Sequence, residues 1–378
     1  MTRARTLADL GSASLATDAE VTAAIDAIPP AKGKNLLYNG AMQVAQRGTS
    51  VTGLSGTATY NTADRWWFVS ANTFGTQTQD IQNDAPTGSG FRKSFRVLTT
   101  TAQASPAAGD VLYVAQLLEG QDLQRIYKGT SSAQKLTLSF WVKSNVTGAY
   151  VAELADVDNT RNVSASYSIS ASATWEKKTI TFPADITGAF DNDNAASLQL
   201  FFWLGAGSNF TGGSPLQTAW GTATNTRVTG QTNLAAAVNN YWQVTGVQLE
   251  VGDTATDFEH KPYGVELAEC QRYYYLHASG SGKRIAMGAN YNSTTLVCHV
   301  PFPVTMRAAP NLEHTTGTNY YAFGRNNAVD YLASFIIAGA TENGAGLSNT
   351  NNIGGTAGDG GVVDTNDASA SVAFSAEL

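Results

Sequence analysis

The segment 198–204, LQLFFWL, narrows the choice of fold more than any other in the chain. In an extended backbone Leu198, Leu200, Phe202 and Leu204 share one face, while Phe201 and Trp203 share the other. A strand that is apolar on both faces needs cover on both sides. It therefore belongs in the middle of a sheet that is packed above and below. The same period of two recurs elsewhere. Leu136, Leu138, Phe140 and Val142 line one face of KLTLSFWVKS, with Trp141 on the other, and Leu112, Val114, Gln116 and Leu118 share a face. Phe91, Lys93, Phe95 and Val97 alternate with polar residues, and shorter runs around Val151, Leu154 and 179–182 add further strands. About eight strands over roughly 220 residues, with Gly- and Asn-rich loops, predict an all-β jelly-roll sandwich. The absence of a short internal repeat speaks against a β-helix or a propeller.

Composition narrows the function. Only 14% of residues are charged and the net charge is −7, which is the wrong balance for non-specific nucleic-acid binding or an anionic membrane surface. No apolar run reaches the length of a membrane span, and the first twenty residues lack the apolar core of a signal peptide, so assembly in a cytoplasm is expected. The two cysteines, Cys270 and Cys298, form no metal-binding spacing and read as buried free thiols.

The N-terminal segment, 1–34, reads as an attachment or oligomerisation piece. Thr17 and Glu20 fit a capping box, Val21, Ile25 and Ile28 follow at helical spacing, and Pro29-Pro30 ends the run. One apolar stripe cannot bury itself, so it predicts packing on symmetry mates or on a docking partner. A large jelly roll is expected over 35–263. Its last strand carries Val247, Leu249 and Val251 on one face and Gln248 and Glu250 on the other. A linker helix over 264–276, VELAECQR and the tyrosines after it, then leads to a smaller β-sandwich over 277–378, which is a receptor-contacting tip in this reading.

Several landmarks carry a family resemblance. The junction holds, in order, Gln248-Leu249-Glu250, Gly252, Ala255-Thr256, Phe258-Glu259, Lys261-Pro262-Tyr263-Gly264, Glu266-Leu267 and Cys270-Gln271-Arg272-Tyr273-Tyr274. Upstream lie Asn35-Leu36 with Asn39-Gly40, Ala63-Asp64-Arg65-Trp66 and Gln116-Leu117-Leu118-Glu119-Gly120, and downstream Met306-Arg307 with Pro310. The pattern resembles that of bacteriophage tail fibre and tail-tip proteins with a carbohydrate-binding-module-like jelly roll. It departs at Asp257, where the family often has Pro. The resemblance implies a structural virion protein that recognises the host surface and is assembled as a homotrimer. Its partners would be itself, other tail or baseplate proteins at the N-terminus, and a host cell-surface glycan. The alternatives are a carbohydrate-binding module outside a virion and a polysaccharide-cleaving fibre.

Candidate binding residues come from aromatic side chains in polar company. The loop 205–240 strands Phe210 and Trp220, either as sugar-stacking faces or, for Trp220, as a plug of the sandwich edge. Tyr320, Tyr321 and Tyr331 mark a contact surface near the C-terminus. Asp64 and Arg65 read as a structural pair across neighbouring strands, and His260 as a hydrogen-bonding hinge residue. No catalytic motif surrounds any acid, His or Ser, so no enzyme is expected. The runs Asp156-Val157-Asp158-Asn159 and Asp191-Asn192-Asp193-Asn194 read as Asx turns rather than calcium loops, and no cofactor or metal is expected.

Overall fold

The computed structural model describes residues 33–71, 74–325 and 328–378. Thr17, Glu20, Val21, Ile25 and Ile28 lie outside the described residues. Residues 35–378 form one compact unit.

The chain is nearly all β. The first twelve strands are Ser50–Leu54 (β1), Thr57–Tyr60 (β2), Trp67–Ala71 (β3), Thr76–Gln82 (β4), Ser94–Thr101 (β5) and Val111–Glu119 (β6), then Leu136–Ser144 (β7), Gly148–Asp156 (β8), Arg161–Ile169 (β9), Glu176–Phe182 (β10), Ala196–Ala206 (β11) and Tyr241–Val251 (β12). They form two antiparallel six-stranded sheets, in the orders β1-β4-β5-β12-β7-β10 and β2-β3-β6-β11-β8-β9. The two sheets face each other as a jelly-roll sandwich. Phe202 on β11 meets Phe140 of β7 and Trp242 of β12 across the middle, with ring centroids 4.9 and 5.4 Å away. The doubly apolar strand β11 sits between β6 and β8, as its pattern requires.

About eight strands were expected here. Among the additional ones are short polar runs, such as TATY and TQTQDIQ, that carry no apolar alternation. They are strands because the sheet beside them supplies their hydrogen bonds.

Ten shorter strands follow. They are Tyr274–Ser279 (β13), Arg284–Asn292 (β14), Thr295–Pro301 (β15), Asn311–His314 (β16) and Tyr321–Arg325 (β17), then Ala328–Leu332 (β18), Ile336–Thr341 (β19), Gly344–Asn349 (β20), Gly360–Thr365 (β21) and Ser371–Ser375 (β22). A three-stranded sheet, β13-β22-β16, packs on a seven-stranded one, β18-β17-β21-β14-β15-β20-β19, around Leu296, Phe323, Leu347, Val363 and Phe374. No described strand is shared between the two sandwiches.

Two α-helices are present among the described residues. One is a single turn, Ser208–Thr211 (α1), and the other joins the sandwiches, Tyr263–Gln271 (α2). The joining helix was expected to run through 276. It stops at Gln271 because Tyr274, Tyr275 and Leu276 are already in strand register with Ser375, Phe374 and Ala373.

Buried charge fastens one sandwich to the other. Asp64 and Arg65 were both expected to pair across neighbouring strands. Arg65 has a φ of +71°, and its fully buried guanidinium ion-pairs with Glu377 near the C-terminus. It also donates to Leu117 O at 2.7 Å and lies 3.5 Å from the Tyr273 ring centroid. Asp64 accepts from the backbone N of Gln46 at 2.9 Å. Glu119, at the end of β6, receives Arg272 through two hydrogen bonds of 3.0 and 2.7 Å and also Tyr273 Oη. Arg307 reaches Asn194 O, Ala376 O and Glu377 O.

Removing one partner leaves a buried charge unpaired, which costs about 3–5 kcal/mol. Glu377→Ala is expected to lose stability of that order in urea unfolding, and Arg65→Met with Glu377→Met together to recover most of it. Burial raises the Glu119 carboxyl, but the hydrogen bonds from Arg272 and Tyr273 outweigh this and hold it below its ordinary 4.5. A depressed folded pKa stabilises above the unfolded value, and that gain fades as pH falls through the folded one. Urea midpoints measured downward from pH 5 should therefore drop less steeply in Glu119→Gln than in the parent.

Candidate functional site

The outward face of β6, β8, β9 and β11 carries the second aromatic cluster of the jelly roll. Alternation that sends Leu200 and Phe202 inward sends Phe201 and Trp203 outward. On β6, Tyr113 is in register with Trp203. The Tyr113 ring centroid is 4.9 Å from Phe201 and 5.0 Å from Trp203, and Trp67 of β3 extends the row at 6.1 Å.

The long loop after β11 comes back over this face. α1 brings Phe210 to 5.6 Å from Trp203, and Val228 N donates to Phe210 O. The loop is sewn to the edge strand β9 by Ser164 N to Gln217 O, at 2.8 Å, and by paired backbone bonds between Asn162 and Gly221. It does not cover the face completely. Between loop and sheet lies a cleft of about 430 Å³, bordered by Tyr113, Gln199, Arg161, Thr224, Phe210 and Arg227.

An ion pair sets the floor of this cleft. Glu153 on β8 is fully buried. Its Oε2 accepts from Trp203 Nε1 at 2.7 Å, and its Oε1 from Arg227 Nε at 2.8 Å. Burial holds the Glu153 carboxyl above its ordinary value, and Arg227 and Trp203 offset only part of that rise. The Arg227 guanidinium is spread over three rings, 5.7 Å from Phe201, 5.4 Å from Trp203 and 5.9 Å from Phe210. Glu153 thereby fixes both the Trp203 indole and Arg227. Burial pushes the Tyr113 phenol up to about 12, so it is a neutral hydroxyl at physiological pH. Phe201 and Trp203 are buried, so the ring surfaces offered to a ligand are those of the half-buried Tyr113 and Phe210. The arrangement combines apolar ring faces with Arg, Gln, Asn and Thr donors and acceptors around the rim.

The sequence-predicted residues separate. Phe210 borders the cleft. Trp220 packs its half-buried ring against the jelly-roll core, donates from Nε1 to Pro183 O at 2.8 Å, and lies 5.3 Å from Lys128 Nζ. That ammonium is itself buried among oxygens, 2.7 Å from Gly188 O, 2.9 Å from Thr187 O, 2.5 Å from Asp156 and 3.1 Å from Asp185. Asp156, read from sequence as a turn residue, is thus the counter-ion of a buried lysine. Asp158 accepts from the backbone N of Asp191 at 2.9 Å, which joins the two acidic turns.

Tyr320, Tyr321 and Tyr331 lie in the second sandwich, away from Phe210 and Trp220. Tyr321 was expected on a contact surface. It is fully buried, with its hydroxyl within 2.7 Å of Thr315 O and 2.8 Å of Ser371 O, because it alternates inward with Phe323 on β17. Tyr320 is half-buried against the same core, and Tyr331 is exposed on the edge strand β18. His260 was expected to be a hydrogen-bonding hinge residue; it is exposed, packs against the Phe91 and Phe258 rings, and makes no hydrogen bond among the described residues.

Sequence reasoning missed Tyr113, Glu153 and Arg227. The signal available was the doubly apolar strand itself. A sheet face that carries Phe201 and Trp203 must be covered by something, and the neighbouring strand offers Tyr113 in phase.

No protein family's model matches the chain, and no curated protein matches it. Among solved structures it is similar to the enzymatically active domain of bacteriophage CBA120 tailspike protein 4. That match has 15% identity, covers 58% of this chain and 21% of that one, and has a TM-score of 0.31. It is similar to TmCBM61 in complex with β-1,4-galactotriose, at 8% identity over 58% of this chain and 99% of that one, with a TM-score of 0.29. The tandem CBM22-1–CBM22-2 domain of Paenibacillus barcinonensis Xyn10C is similar at 8% identity over 93% of this chain and 100% of that one, with a TM-score of 0.28. The chain thus spans about a fifth of the tailspike domain that it matches.

Trp220→Ala is expected to lower stability by about 2 kcal/mol, through lost packing and an unpaired Pro183 carbonyl. Phe210→Ala should cost less than about 1 kcal/mol, because its ring is partly in solvent. Urea unfolding of the two variants checks both values.

Proposed function

We propose that this chain is a glycan-binding component of a phage tail fibre or tail tip. The cleft over β6, β8 and β11 is the carbohydrate-contacting surface in this reading. The observation that carries it is the pairing of open ring faces, Tyr113 and Phe210, with Arg227 held in place by buried Glu153. A pyranose has an apolar C–H face and a polar rim of hydroxyls, and this cleft offers both in the same order.

Binding without hydrolysis is the reading adopted. What supports it is that the acids nearest the cleft are engaged. Glu153 is spent on Arg227 and Trp203, and Asp156 on Lys128. The virion role is supported by the ordered junction residues, which lie together where the sandwiches meet. In that role the segment 1–34 would dock the chain or join it to two others. The C-terminal sandwich would present its exposed Met287, Tyr291, Tyr331 and Ile336 outward.

The test is an affinity screen of the full chain against cellohexaose, xylohexaose, β-1,4-galactotriose and trigalacturonate, and against lipopolysaccharide O-chains and capsular polysaccharides. At least one should bind, and Phe210→Ala or Tyr113→Ala should weaken it by about tenfold, or ~1.4 kcal/mol. Binding that neither variant changes would place the glycan elsewhere, and release of reducing ends would replace the binding reading with a hydrolytic one.

A further inference from the structure

The opposite sheet also has an outward face, and one part of it is built like a second site. On β7, Ser139 and Trp141 point away from the core. Trp141 is in register with Lys177 of β10 on one side and Thr245 of β12 on the other. β12 then bulges between Thr245 and Gln248, and Gly246 sits in the bulge at φ +61°. A Cβ at Gly246 would come within 2.5 Å of the Phe91 ring. The missing side chain is what lets the edge of the Phe91 ring come this close to β12. Phe258 and His260, from the loop after β12, then close on Phe91 with ring centroids 4.9 and 5.1 Å away, and on each other at 4.9 Å. These rings wall a cavity of about 300 Å³ whose other sides include Ser89, Ser139, Trp141, Lys177 and the acidic Asp257.

A neighbouring group on the same face shows what a finished Trp–Lys pair looks like. Trp175 and Lys143 share one counter-ion. Asp84 accepts from Trp175 Nε1 at 3.3 Å and ion-pairs with Lys143, whose ammonium lies 5.4 Å from the Trp175 ring. Trp141 and Lys177 are also side by side, yet no such shared counter-ion joins them among the described residues. Among the described residues the Trp141 indole N–H has no acceptor, and the exposed Lys177 ammonium has no ion pair. His260 likewise makes no hydrogen bond to a described residue. Three N–H donors and three aromatic walls therefore meet at one cavity with their hydrogen-bonding capacity unused.

We propose that this cavity is a second saccharide site, on the opposite face of the jelly roll from the first. Its occupant is a single pyranose unit of a longer chain, because about 300 Å³ is at the lower end of ligand-pocket sizes. The sugar's C–H face lies against the Phe91–Phe258–His260 wall, and its ring or exocyclic oxygens accept from Trp141 and Lys177. The site is made only of its own residues and needs nothing from the cleft that Tyr113 borders. With both occupied, one chain grips two glycan segments on opposite sides, which raises avidity on a dense surface without strengthening either contact.

The experiment is calorimetric titration of the full chain with cellohexaose, xylohexaose, β-1,4-galactotriose and trigalacturonate, in the parent and in Trp141→Ala, Lys177→Ala and Tyr113→Ala. For at least one probe the parent should show two sites. Trp141→Ala and Lys177→Ala should each remove one of them or weaken it at least tenfold, while Tyr113→Ala removes the other. Preference for trigalacturonate that fades with salt identifies Lys177 as reading a carboxylate, and salt-insensitive binding of a neutral probe identifies it as a hydroxyl donor. Because Lys177 is exposed, its variant folds regardless of how Trp141→Ala behaves. If Tyr113→Ala abolishes all binding and neither Trp141→Ala nor Lys177→Ala alters it, the second site is overturned and the first stands. The converse overturns the first and leaves the second, and no binding by any probe overturns this proposal.

Discussion

The burial of Arg65 governs how this molecule is put together. A guanidinium with no solvent contact is expensive unless its charge and its donors are met. Here Glu377 meets the charge, the Leu117 carbonyl takes a hydrogen, and the Tyr273 ring lies against the plane. Those partners come from the extreme C-terminus, from β6 and from the end of α2. The charge of Arg65 is thus met only when the C-terminal end of the chain is docked, although its Nε finds no acceptor among the described residues. Glu119 imposes a second condition of the same kind, because a carboxylate at the end of β6 is paired only when Arg272 and Tyr273 arrive. The jelly roll thus carries one buried cation and one buried anion that are both neutralised from outside it, by Glu377 and Arg272. Such pairs add little net stability against apolar replacements, but they select one docking geometry from the many that a greasy interface would allow.

This gives the junction residues a common physical role. Asn39 donates to the Val44 and Asp64 carbonyls, accepts from Val44 N and takes the Glu266 carboxylate on its own backbone N. Asn35 bonds both Val247 O and Leu249 N, and so holds the entering chain against β12 beyond the point where β5 stops pairing. Gln248 and Glu250, on the outward face of β12, hold the loop that follows, through Glu259 N and Thr256 N. These short polar motifs were visible in the sequence as an ordered series. What they do was not, because their partners are up to 312 residues away and a spacing along the chain does not encode a distance across it.

Much of the framework was legible for a simple reason. Where one face of a strand is buried and the other is wet, alternation survives in the sequence, as it does for Leu136 to Val142 and for Val247 to Val251. Legibility failed where tertiary context overrides local pattern. TQTQDIQ looks like a loop and is a strand, with Gln77 and Gln79 turned into the interior. The tyrosine run looks like the end of a helix and is mostly strand. Tyr321 looks like a surface aromatic because its neighbours are polar, yet its hydroxyl finds two backbone carbonyls inside the second core, which is what lets a tyrosine be buried at all. The cleft was half legible. Phe210 could be picked out as an aromatic with no local reason to be there, but Glu153 and Arg227 could not, since neither stands in a motif.

The cleft itself follows from the requirement that β11 placed on the fold. Phe201 and Trp203 face outward and cannot be left wet, so the loop 207–231 must return to cover them. That loop is built of Gly, Ser, Thr and Asn, with few bulky side chains. It excludes bulk water from the two rings and anchors firmly on β9, but it has too little volume to fill the space it encloses. Phe210 and the aliphatic part of Arg227 occupy some of that space, and the rest remains open beside Tyr113. A bulkier cover would have given a sealed third layer, and a shorter one an exposed hydrophobic patch prone to association. An anchored but underfilled cover leaves rigid aromatic faces at the bottom of a polar-rimmed groove. The cleft proposed as the glycan site is thus the place where the fold has satisfied its hydrophobic demand only in part.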